Sequence, residues 1–399
     1  MNAPRATLIW QLPDWPNLQA NDPALLPLLL DAREWLGRVR GAYSAAGLDP
    51  AAPATQDVWQ QEALATSAIE GESLNPASVR SSVMRRLGLG EDQEAPRDER
   101  VDGLVAMLDE ATRLHDQALD EARLCRWHAA LFPSGYSGMT RIRVGQYRNH
   151  SDAMQIVSGL PGREVVHYTA PPSAQVANEM QRLLAWLAHT GAETADAPHQ
   201  DGLVRAAIAH LWFESIHPFE DGNGRIGRAV VDLVLARDAG SPVRFISLSR
   251  QLLAERKAYY AALQQAQHGG STDVSPWVMW FVRQLAAACQ HACGLLDAAQ
   301  QRSRFWVVHG AVALNARQYK VVQRLLDAGD GGFLGGLNAE KYMKLTGASK
   351  ATATRDMAHL VEHGLLSVRG QGKATRYFVN VPGWDHAIDA GQGPPAQGS

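Results

Sequence analysis

Apolar residues recur at intervals of three and four along most of the chain, a spacing that predicts a mainly α protein. Between residues 133 and 172 glycines and prolines interrupt this spacing. Two β-prone runs there, joined by a turn, predict a hairpin over 154–168. The helical spacing returns afterwards. The helices predicted for the first 300 residues cover 24–46, 57–70, 98–116, 119–132, 173–190, 200–216, 227–239, 249–267 and 275–300, with one more starting near 75.

The last hundred residues have a different pattern. Helical spacing over 315–328, 338–346 and 349–364 is followed by alternating residues around Gly370-Gln371-Gly372. Three helices and a hairpin are typical of a winged helix-turn-helix domain. We therefore divide the chain into an N-terminal helical domain, a central domain, a winged-helix domain and a Gly/Pro-rich tail expected to be disordered, with bounds of 1–97, 98–300, 301–385 and 386–399.

Composition and charge exclude several classes of protein. The 399 residues are 46% hydrophobic, with a formal net charge of −3, so no global field favours nucleic acid or anionic lipid. No apolar run is long enough to span a membrane, and the N-terminus lacks a signal-peptide profile. Three cysteines without CxxC spacing favour a reducing cytoplasm. Cys289 and Cys293 share a helix face and are expected to be packing residues rather than metal ligands.

The stretch HPFEDGNGRIGR, residues 217–228, is the main candidate for chemistry. It lies between two predicted helices, so Gly222 and Gly224 precede or open a helix whose free N–H groups attract anions. Arg225 and Arg228 are three residues apart and can both reach phosphate oxygens. A polyphosphate is the ligand that this arrangement predicts.

Three other side chains of this stretch have separate expected roles. Asp221 is a hard oxygen ligand of the type that holds Mg²⁺ beside phosphates. His217 can accept a proton near neutral pH. Phe219 is expected to anchor the stretch in the core. Together these groups predict transfer from a metal-bound polyphosphate onto an activated hydroxyl.

The order of these residues resembles the signature of Fic-domain proteins, H-P-F-x-D/E-G-N-G-R-x-x-R. The resemblance extends to Gly145-Gln146-Tyr147-Arg148 and to 249–263, and it covers roughly residues 55 to 270. It implies a Fic helical core over 98–300 with a β-hairpin flap, an N-terminal helical extension and a C-terminal winged helix. It also implies a protein adenylyltransferase, which transfers AMP from ATP to a Ser, Thr or Tyr hydroxyl of a protein.

The resemblance assigns a role to each residue of the loop. His217 would be the general base, and Asp221 would bind Mg²⁺. Backbone amides of Gly222, Asn223 and Gly224 would form an anion hole, with Asn223 also contacting phosphate. Arg225 and Arg228 would hold the β- and γ-phosphates.

Two further segments are implied to lie near the nucleotide. The predicted hairpin resembles the flap that aligns a target segment, so Ile156, Val157, Ser158 and Gly159 would be close to ATP. Tyr259 and Tyr260 resemble a tyrosine pair near the nucleobase, with packing in the core as the alternative. Gln267 replaces an asparagine of many relatives, which puts the adenine contact there in doubt.

TSAIEG, residues 66–71, resembles the inhibitory pattern S/T-x-x-x-E-G/N of the family, with Thr66, Glu70 and Gly71 at its defining positions. Its place before the Fic core corresponds to class II. The resemblance implies that Glu70 pairs with Arg228 and occupies the γ-phosphate site, which autoinhibits transfer. In some relatives the same glutamate supports removal of AMP from a modified target.

A second function remains open. Residues 338–380 carry seven Lys or Arg against three acids, and the winged helix could place Lys350 and Arg355 in a DNA groove, with Arg369, Lys373 and Arg376 on phosphates. The chain would then be a DNA-binding transcriptional regulator whose Fic core senses nucleotide or modifies itself. Dimerisation or target docking is the alternative use of that domain, and transfer of a phosphate or another nucleotide is a third chemistry. Self-modification and a homodimer stay open.

Overall fold

The structure is a computed structural model that describes residues 7–45, 53–90, 96–158, 163, 165–191, 200–241, 244–329, 331 and 333–384. The predicted mainly α fold is confirmed. In chain order the helices are α1 Leu25–Ala45, α2 Pro53–Ile69, α3 Pro76–Arg86, α4 Glu99–Arg113, α5 Glu121–Leu131, α6 Ser173–Thr190, α7 Gly202–Ile216, α8 Asn223–Ala239, α9 Leu248–Ala254, α10 Arg256–His268, α11 Ser275–His309, α12 Ala316–Ala328, α13 Ala339–Thr346 and α14 Lys350–Glu362.

The strands form three antiparallel pairs. They are β1 Tyr136–Ser137 with β2 Thr140–Arg141, β3 Gln155–Ser158 with β4 Val165–Thr169, and β5 Leu366–Arg369 with β6 Arg376–Val379. The β3–β4 pair lies within the predicted hairpin, and its register shifts between Ile156 and Val157. The turn of this hairpin, including Gly159, and the predicted disordered tail 386–399 lie outside the described residues.

Two predicted helices differ from the observed ones. The segment 249–267 is not one helix, because α9 ends at Ala254 and α10 begins at Arg256, with Glu255 between them at φ −103 and ψ 27. The helix predicted over 275–300 continues to His309. Phe305, on this extension, is buried in the C-terminal core, which supports the additional turns.

The chain forms two compact units, Met1–Cys293 and Gly294–Ser399. The first is built around α7, all of whose residues are buried. A helix that is apolar on every side belongs at the centre of a domain. The helix α8 packs along α7, and α2, α4 and α5 pack against α8. The loop that joins α7 to α8 therefore begins and ends on the most constrained helices of the unit.

The second unit has its own hydrophobic core. Its centre includes Val321, Leu325, Tyr342, Met357 and Leu360, which come from α12, α13 and α14. The β5–β6 pair closes this core, and Leu337 forms a bridge to Tyr377. Helix, helix, helix and hairpin thus follow in the predicted order. In the part of the chain that the structure describes, no helix combines the length and apolar character needed to cross a bilayer.

Candidate active site

The backbone turns sharply at His217, directly after α7. His217 has φ 51 and ψ 63, and among the described residues it alone has a positive φ without being glycine. The left-handed conformation is energetically unfavourable for a residue that carries a Cβ. Contacts with surrounding groups must therefore maintain it. Its N–H donates to the carbonyl of Phe213, 2.9 Å away, which closes the end of α7.

Arg148 supplies those contacts. Its buried guanidinium donates to the carbonyl oxygens of His217 (2.8 Å), Ile216 (3.1 Å) and Pro171 (2.6 Å), and to the Ser173 hydroxyl (3.0 Å). A planar fork of five donors suits this task better than an ammonium. The sequence resemblance included Arg148 but gave it no role, since its four acceptors, from residues 171–173 and 216–217, meet it only in the folded chain.

Hydrogen bonds within the loop stabilise its middle. The Asn223 side chain accepts from the Phe219 N–H (2.9 Å) and donates to the Phe219 carbonyl (2.8 Å). Both ends of the Asn223 amide thus hold the loop closed, and its backbone N–H lies at the helix start, so the expected phosphate contact of Asn223 stays a prediction. As predicted, Phe219 is an anchor: it is buried and stacks on His128, whose ring centroid is 4.3 Å away.

Two glycines allow close approach at the start of α8. Gly222 has φ 79, and a Cβ there would lie 2.8 Å from the Phe132 ring. A Cβ on Gly224 would lie 2.1 Å from Oε1 of Glu70. The Glu70 carboxylate therefore rests against the first turn of α8, where N–H groups without helical partners attract negative charge.

The expected pair of Glu70 and Arg228 is present. Oε1 of Glu70 lies 2.8 Å from Nη2 of Arg228, whose side chain is only 2% exposed. Arg228 also donates from Nε to the Thr66 hydroxyl and from Nη2 to the Thr66 carbonyl, both at 2.8 Å. Although burial lowers the pKa of Arg228, the Glu70 carboxylate raises it, and the net pKa is above its ordinary value. The guanidinium is thus charged and is held by α2 and the turn after it through Nε and Nη2, whereas Nη1 has no hydrogen-bond partner among the described residues.

Arg225 is held by an acidic residue that sequence reasoning missed. Its Nη1 lies 2.8 Å from Oε2 of Glu72, and its side chain is 9% exposed. The guanidinium stacks over the Phe132 ring at 5.1 Å, and Asp221 is 3.7 Å away. Glu72 is only two residues after Glu70, and this spacing is the feature of the sequence that could have indicated its contact with the loop.

Asp221 is the most accessible charged group of the loop, with a side chain 41% exposed. One carboxylate oxygen accepts from the Ser137 hydroxyl and the other from the N–H of Gly222. The described residues contain no cluster of three or more His, Cys, Asp or Glu that could hold a metal by themselves. A single exposed carboxylate beside a phosphate site fits Mg²⁺, which is commonly bound by one or two carboxylates together with substrate phosphates.

His217 has the properties of a base. Burial lowers its pKa to about 4, and the positive charge of Arg148 adds to this effect. The imidazole is therefore neutral at neutral pH. Its Nδ1 lies 3.9 Å from Oε2 of Glu214 on α7, which is beyond hydrogen-bond range, and has no hydrogen-bond partner among the described residues. Burial also raises the pKa of Glu214 to about 8, with a further contribution from the negative charge of Glu70.

The described residues of the predicted flap lie on the β3–β4 hairpin, whereas the tyrosine pair lies on α10. The β3–β4 hairpin contains Ile156, Val157 and the backbone of Ser158, and a hydrogen bond from the Tyr168 hydroxyl to the Ser215 carbonyl (2.9 Å) connects it to the end of α7. Val157 is exposed.

Tyr259 is buried, with its hydroxyl 2.7 Å from Nε2 of His210, which agrees with the packing alternative, and its expected contact near a nucleobase stays a prediction. Tyr260 is more exposed and donates to the Ile69 carbonyl (3.2 Å) at the end of α2. Gln267 is buried and donates to the Ser215 hydroxyl (3.4 Å).

In the second unit, the basic residues expected on DNA are not equivalent. Lys350 and Arg355 are exposed on α14. Arg369 is half-buried and stacks over the Phe378 ring at 5.4 Å. Lys341 donates to the backbone carbonyls of Leu334 and Gly336 (2.6 and 2.8 Å). The side chain of Lys373 is not among those described. Lys344 on α13 and Lys320 and Arg324 on α12 are exposed as well, so the accessible positive charge is not confined to the third helix.

Comparison with known proteins identifies the class of this site. Residues 118–235 match the Fic/DOC family, and residues 8–89 match a domain of unknown function, DUF4172. The middle of the chain is thus similar to Fic domains. A Fic family protein from Desulfovibrio desulfuricans G20 shares the fold, with a TM-score of 0.53 and 21% identity over 90% of this chain and 97% of that chain.

The sequence relatives are named as protein adenylyltransferases. Protein adenylyltransferase fic-1 of Caenorhabditis briggsae is 32% identical over 126 residues, which are 31% of this chain and 22% of the relative. A probable protein adenylyltransferase of Aquifex aeolicus (strain VF5) is 31% identical over 102 residues, which are 26% of this chain and 27% of the relative. The chain thus spans about a quarter of the length of these relatives.

Proposed function

We propose that this protein is an autoinhibited protein adenylyltransferase, which transfers AMP from ATP to a Ser, Thr or Tyr hydroxyl of a protein. The observation that carries the proposal is the loop from His217 to Arg228. It combines a neutral buried imidazole with a glycine-lined helix start and two buried arginines. The names of the relatives support adenylyl transfer over transfer of phosphate or of another nucleotide.

The proposed step is a displacement at the α-phosphorus of ATP. The target hydroxyl oxygen forms a bond to that phosphorus, the bond to the β-phosphate oxygen breaks, and pyrophosphate leaves. The proton of the hydroxyl passes to Nε2 of His217. The N–H groups at Gly222–Gly224, together with Arg225 and Arg228, stabilise the negative charge on the phosphates. Mg²⁺ held by Asp221 would neutralise part of that charge when bound.

Autoinhibition follows from the position of Glu70. Its carboxylate lies against Gly224 and on Arg228 at 2.8 Å, where the resemblance places a phosphate of ATP. Two anionic groups cannot share one buried guanidinium without repulsion. ATP must therefore displace Glu70 or bind in a nonproductive way. Removal of AMP from a modified target remains an additional activity of the same site.

The test is intact-protein mass spectrometry after incubation with ATP and Mg²⁺, comparing the wild type with Glu70→Gly. We expect Glu70→Gly to gain the mass of AMP on itself, because the phosphate site is no longer occupied. Adding His217→Ala should abolish the gain. Glu34→Gln, an exposed glutamate on α1, is the matched control and should behave as the wild type.

Three other outcomes discriminate between the alternatives. A gain of one phosphate would replace adenylyl transfer by phosphoryl transfer. Equal labelling of the wild type and Glu70→Gly would refute autoinhibition by Glu70. An absence of any covalent product in both proteins, with ATP bound, would favour a nucleotide-sensing regulator.

A DNA-binding role is proposed as the second candidate because Lys350 and Arg355 are exposed at the third helix of the C-terminal unit. A helix with exposed basic residues, followed by a hairpin, fits contact with a major groove and its phosphates. This role is compatible with adenylyl transfer in the first unit, since different residues carry it.

A further inference from the structure

We propose that Glu72 is a second inhibitory carboxylate, which holds Arg225 while Glu70 holds Arg228. The inference rests on the proposed function, because it concerns regulation of the same phosphate site. Both pairs have the same separation, 2.8 Å between a carboxylate oxygen and a guanidinium nitrogen. Each arginine of the loop is therefore occupied by a carboxylate from one short turn.

The turn after α2 is shaped to present both carboxylates. The N–H groups of Glu70 and Glu72 both donate to the Ser67 carbonyl, at 3.1 and 3.0 Å, and the Gly71 N–H donates to Ala68. Gly71 lies between them with φ +82, a conformation that favours glycine. One set of backbone hydrogen bonds therefore holds the main chain at both glutamates, which places their carboxylates on the two neighbouring arginines.

The contact of Glu72 is specific to Arg225 on its buried side. Arg225 has a side chain only 9% exposed, whereas Glu72 is 28% exposed. Within the described residues, the next carboxylate oxygen that pairs with Arg225 is that of Asp221, at 3.7 Å. A nearly buried guanidinium needs an anionic partner, and the resemblance assigns it a phosphate. Glu72 is therefore the group that a bound polyphosphate would have to replace.

Arg100 contacts Glu72 from the other side. Its Nη1 lies 3.4 Å from Oε1 of Glu72, and its Nη2 lies 2.9 Å from Asp98, the residue that caps α4. Arg100 is half exposed, so this pair is expected to contribute little. It nevertheless connects the turn after α2 to the start of α4. The exposed pair of Arg100 and Glu72 can also be compared with the buried pair of Arg225 and Glu72.

The experiment measures affinity for an ATP analogue with a methylene group between the α- and β-phosphorus atoms, which cannot transfer AMP. Isothermal titration of the full-length wild type, Glu72→Gln and Arg100→Ala is compared with titration by AMP, which lacks the β- and γ-phosphates. We expect Glu72→Gln to bind the ATP analogue roughly tenfold more tightly, because a charge-assisted pair that competes with phosphate is removed. Its affinity for AMP should be unchanged.

The controls separate this inference from a structural effect and from the proposed function. Glu34→Gln should match the wild type, and Arg100→Ala should change affinity for the ATP analogue less than Glu72→Gln. Equal or weaker binding of the analogue by Glu72→Gln would overturn the inference and make Glu72 a support for Arg225. Equal tightening for AMP would also overturn it, because the effect would not depend on the outer phosphates.

Covalent labelling distinguishes a failure of the inference on Glu72 from a failure of the proposed adenylyl transfer. If Glu70→Gly transfers AMP and Glu72→Gln changes neither analogue binding nor transfer, only the inference on Glu72 is wrong. If Glu72→Gln tightens binding of the analogue but no variant transfers AMP, the second carboxylate stands and adenylyl transfer is wrong. Thermal unfolding of each variant checks that the isosteric change leaves the fold intact.

Discussion

Two clusters of positive charge in this protein are built in opposite ways. In the loop from His217 to Arg228, Arg225 and Arg228 are nearly buried, and each lies 2.8 Å from a carboxylate of the turn after α2. In the C-terminal unit, Lys350 and Arg355 are exposed on one helix. Burying a charge costs free energy unless partners surround it, whereas an exposed charge costs little. The partners of the buried cluster therefore define the geometry of a site, whereas the exposed cluster defines only a positively charged surface.

The strongest way to break the buried cluster is to fill the space beside Gly224. In a Glu70→Gly background, Gly224→Ala should lower AMP transfer at least about hundredfold, because a methyl group there obstructs the anion hole at the start of α8. The measurement is the rate of AMP incorporation. Gly37→Ala, at a helical glycine of α1 with open space around its Cβ position, should leave the rate unchanged. A rate within a few-fold of the parent would show that phosphate does not approach Gly224.

Removing the support of the loop should have the next largest effect. Arg148→Ala leaves the carbonyls of His217, Ile216 and Pro171 without their buried donor. The free energy of unfolding should fall by about 3 kcal/mol, given the cost of unsatisfied buried acceptors. Urea unfolding measures this change.

Arg38→Ala, at an exposed arginine, is the control and should change stability by less than about 0.5 kcal/mol. An Arg148→Ala protein as stable as that control would mean that the conformation of His217 is maintained by other contacts.

For the exposed cluster a smaller effect is expected. Lys350→Gln with Arg355→Gln should weaken DNA binding several-fold and reduce the dependence of log K on log salt by about 2, one unit for each phosphate that is no longer neutralised. Fluorescence anisotropy with the full chain at several salt concentrations measures both quantities. Lys257→Gln with Arg38→Gln removes the same charge elsewhere. If the two double variants behave alike, the third helix does not contact DNA.

The smallest change is expected from pH. Burial places the pKa of His217 at about 4, so the imidazole stays neutral and able to accept a proton from pH 8 down to pH 5. Protonation, and with it loss of the base, begins only as pH falls toward 4. The AMP transfer rate of Glu70→Gly should therefore be nearly constant between pH 8 and 5. A rate that halves near pH 6.5 would indicate an imidazole with its ordinary pKa.

Much of the fold could be predicted from the sequence because helices depend on local spacing. The predicted 173–190 agrees with α6, and the predicted start of a helix at the DGNGR stretch agrees with α8. The extension of α11 to His309 could not be predicted in this way. It depends on the burial of Phe305 in a core assembled from residues far along the chain.

For the site, the sequence indicated which groups are present but not which groups they bind. It predicted Glu70 opposite Arg228, and the two are paired. It also expected Asn223 to contact phosphate and Tyr259 to lie near a nucleobase, and both stay predictions; in the structure the Asn223 side chain braces Phe219 and the Tyr259 hydroxyl contacts His210. An amide or a phenol group can contact a ligand or bond within the core, and its buried neighbours determine which contact it makes.

The sequence by itself therefore determined most of the helices and the set of groups in the loop, which are an imidazole, carboxylates, glycines and two arginines, because these follow from residue type and short spacing. The tertiary structure alone decided that Arg148 maintains the left-handed turn at His217 and that Glu72 occupies Arg225. Both contacts join segments separated by many residues in the chain. Burial makes such contacts energetically important, and burial is a property of the folded molecule.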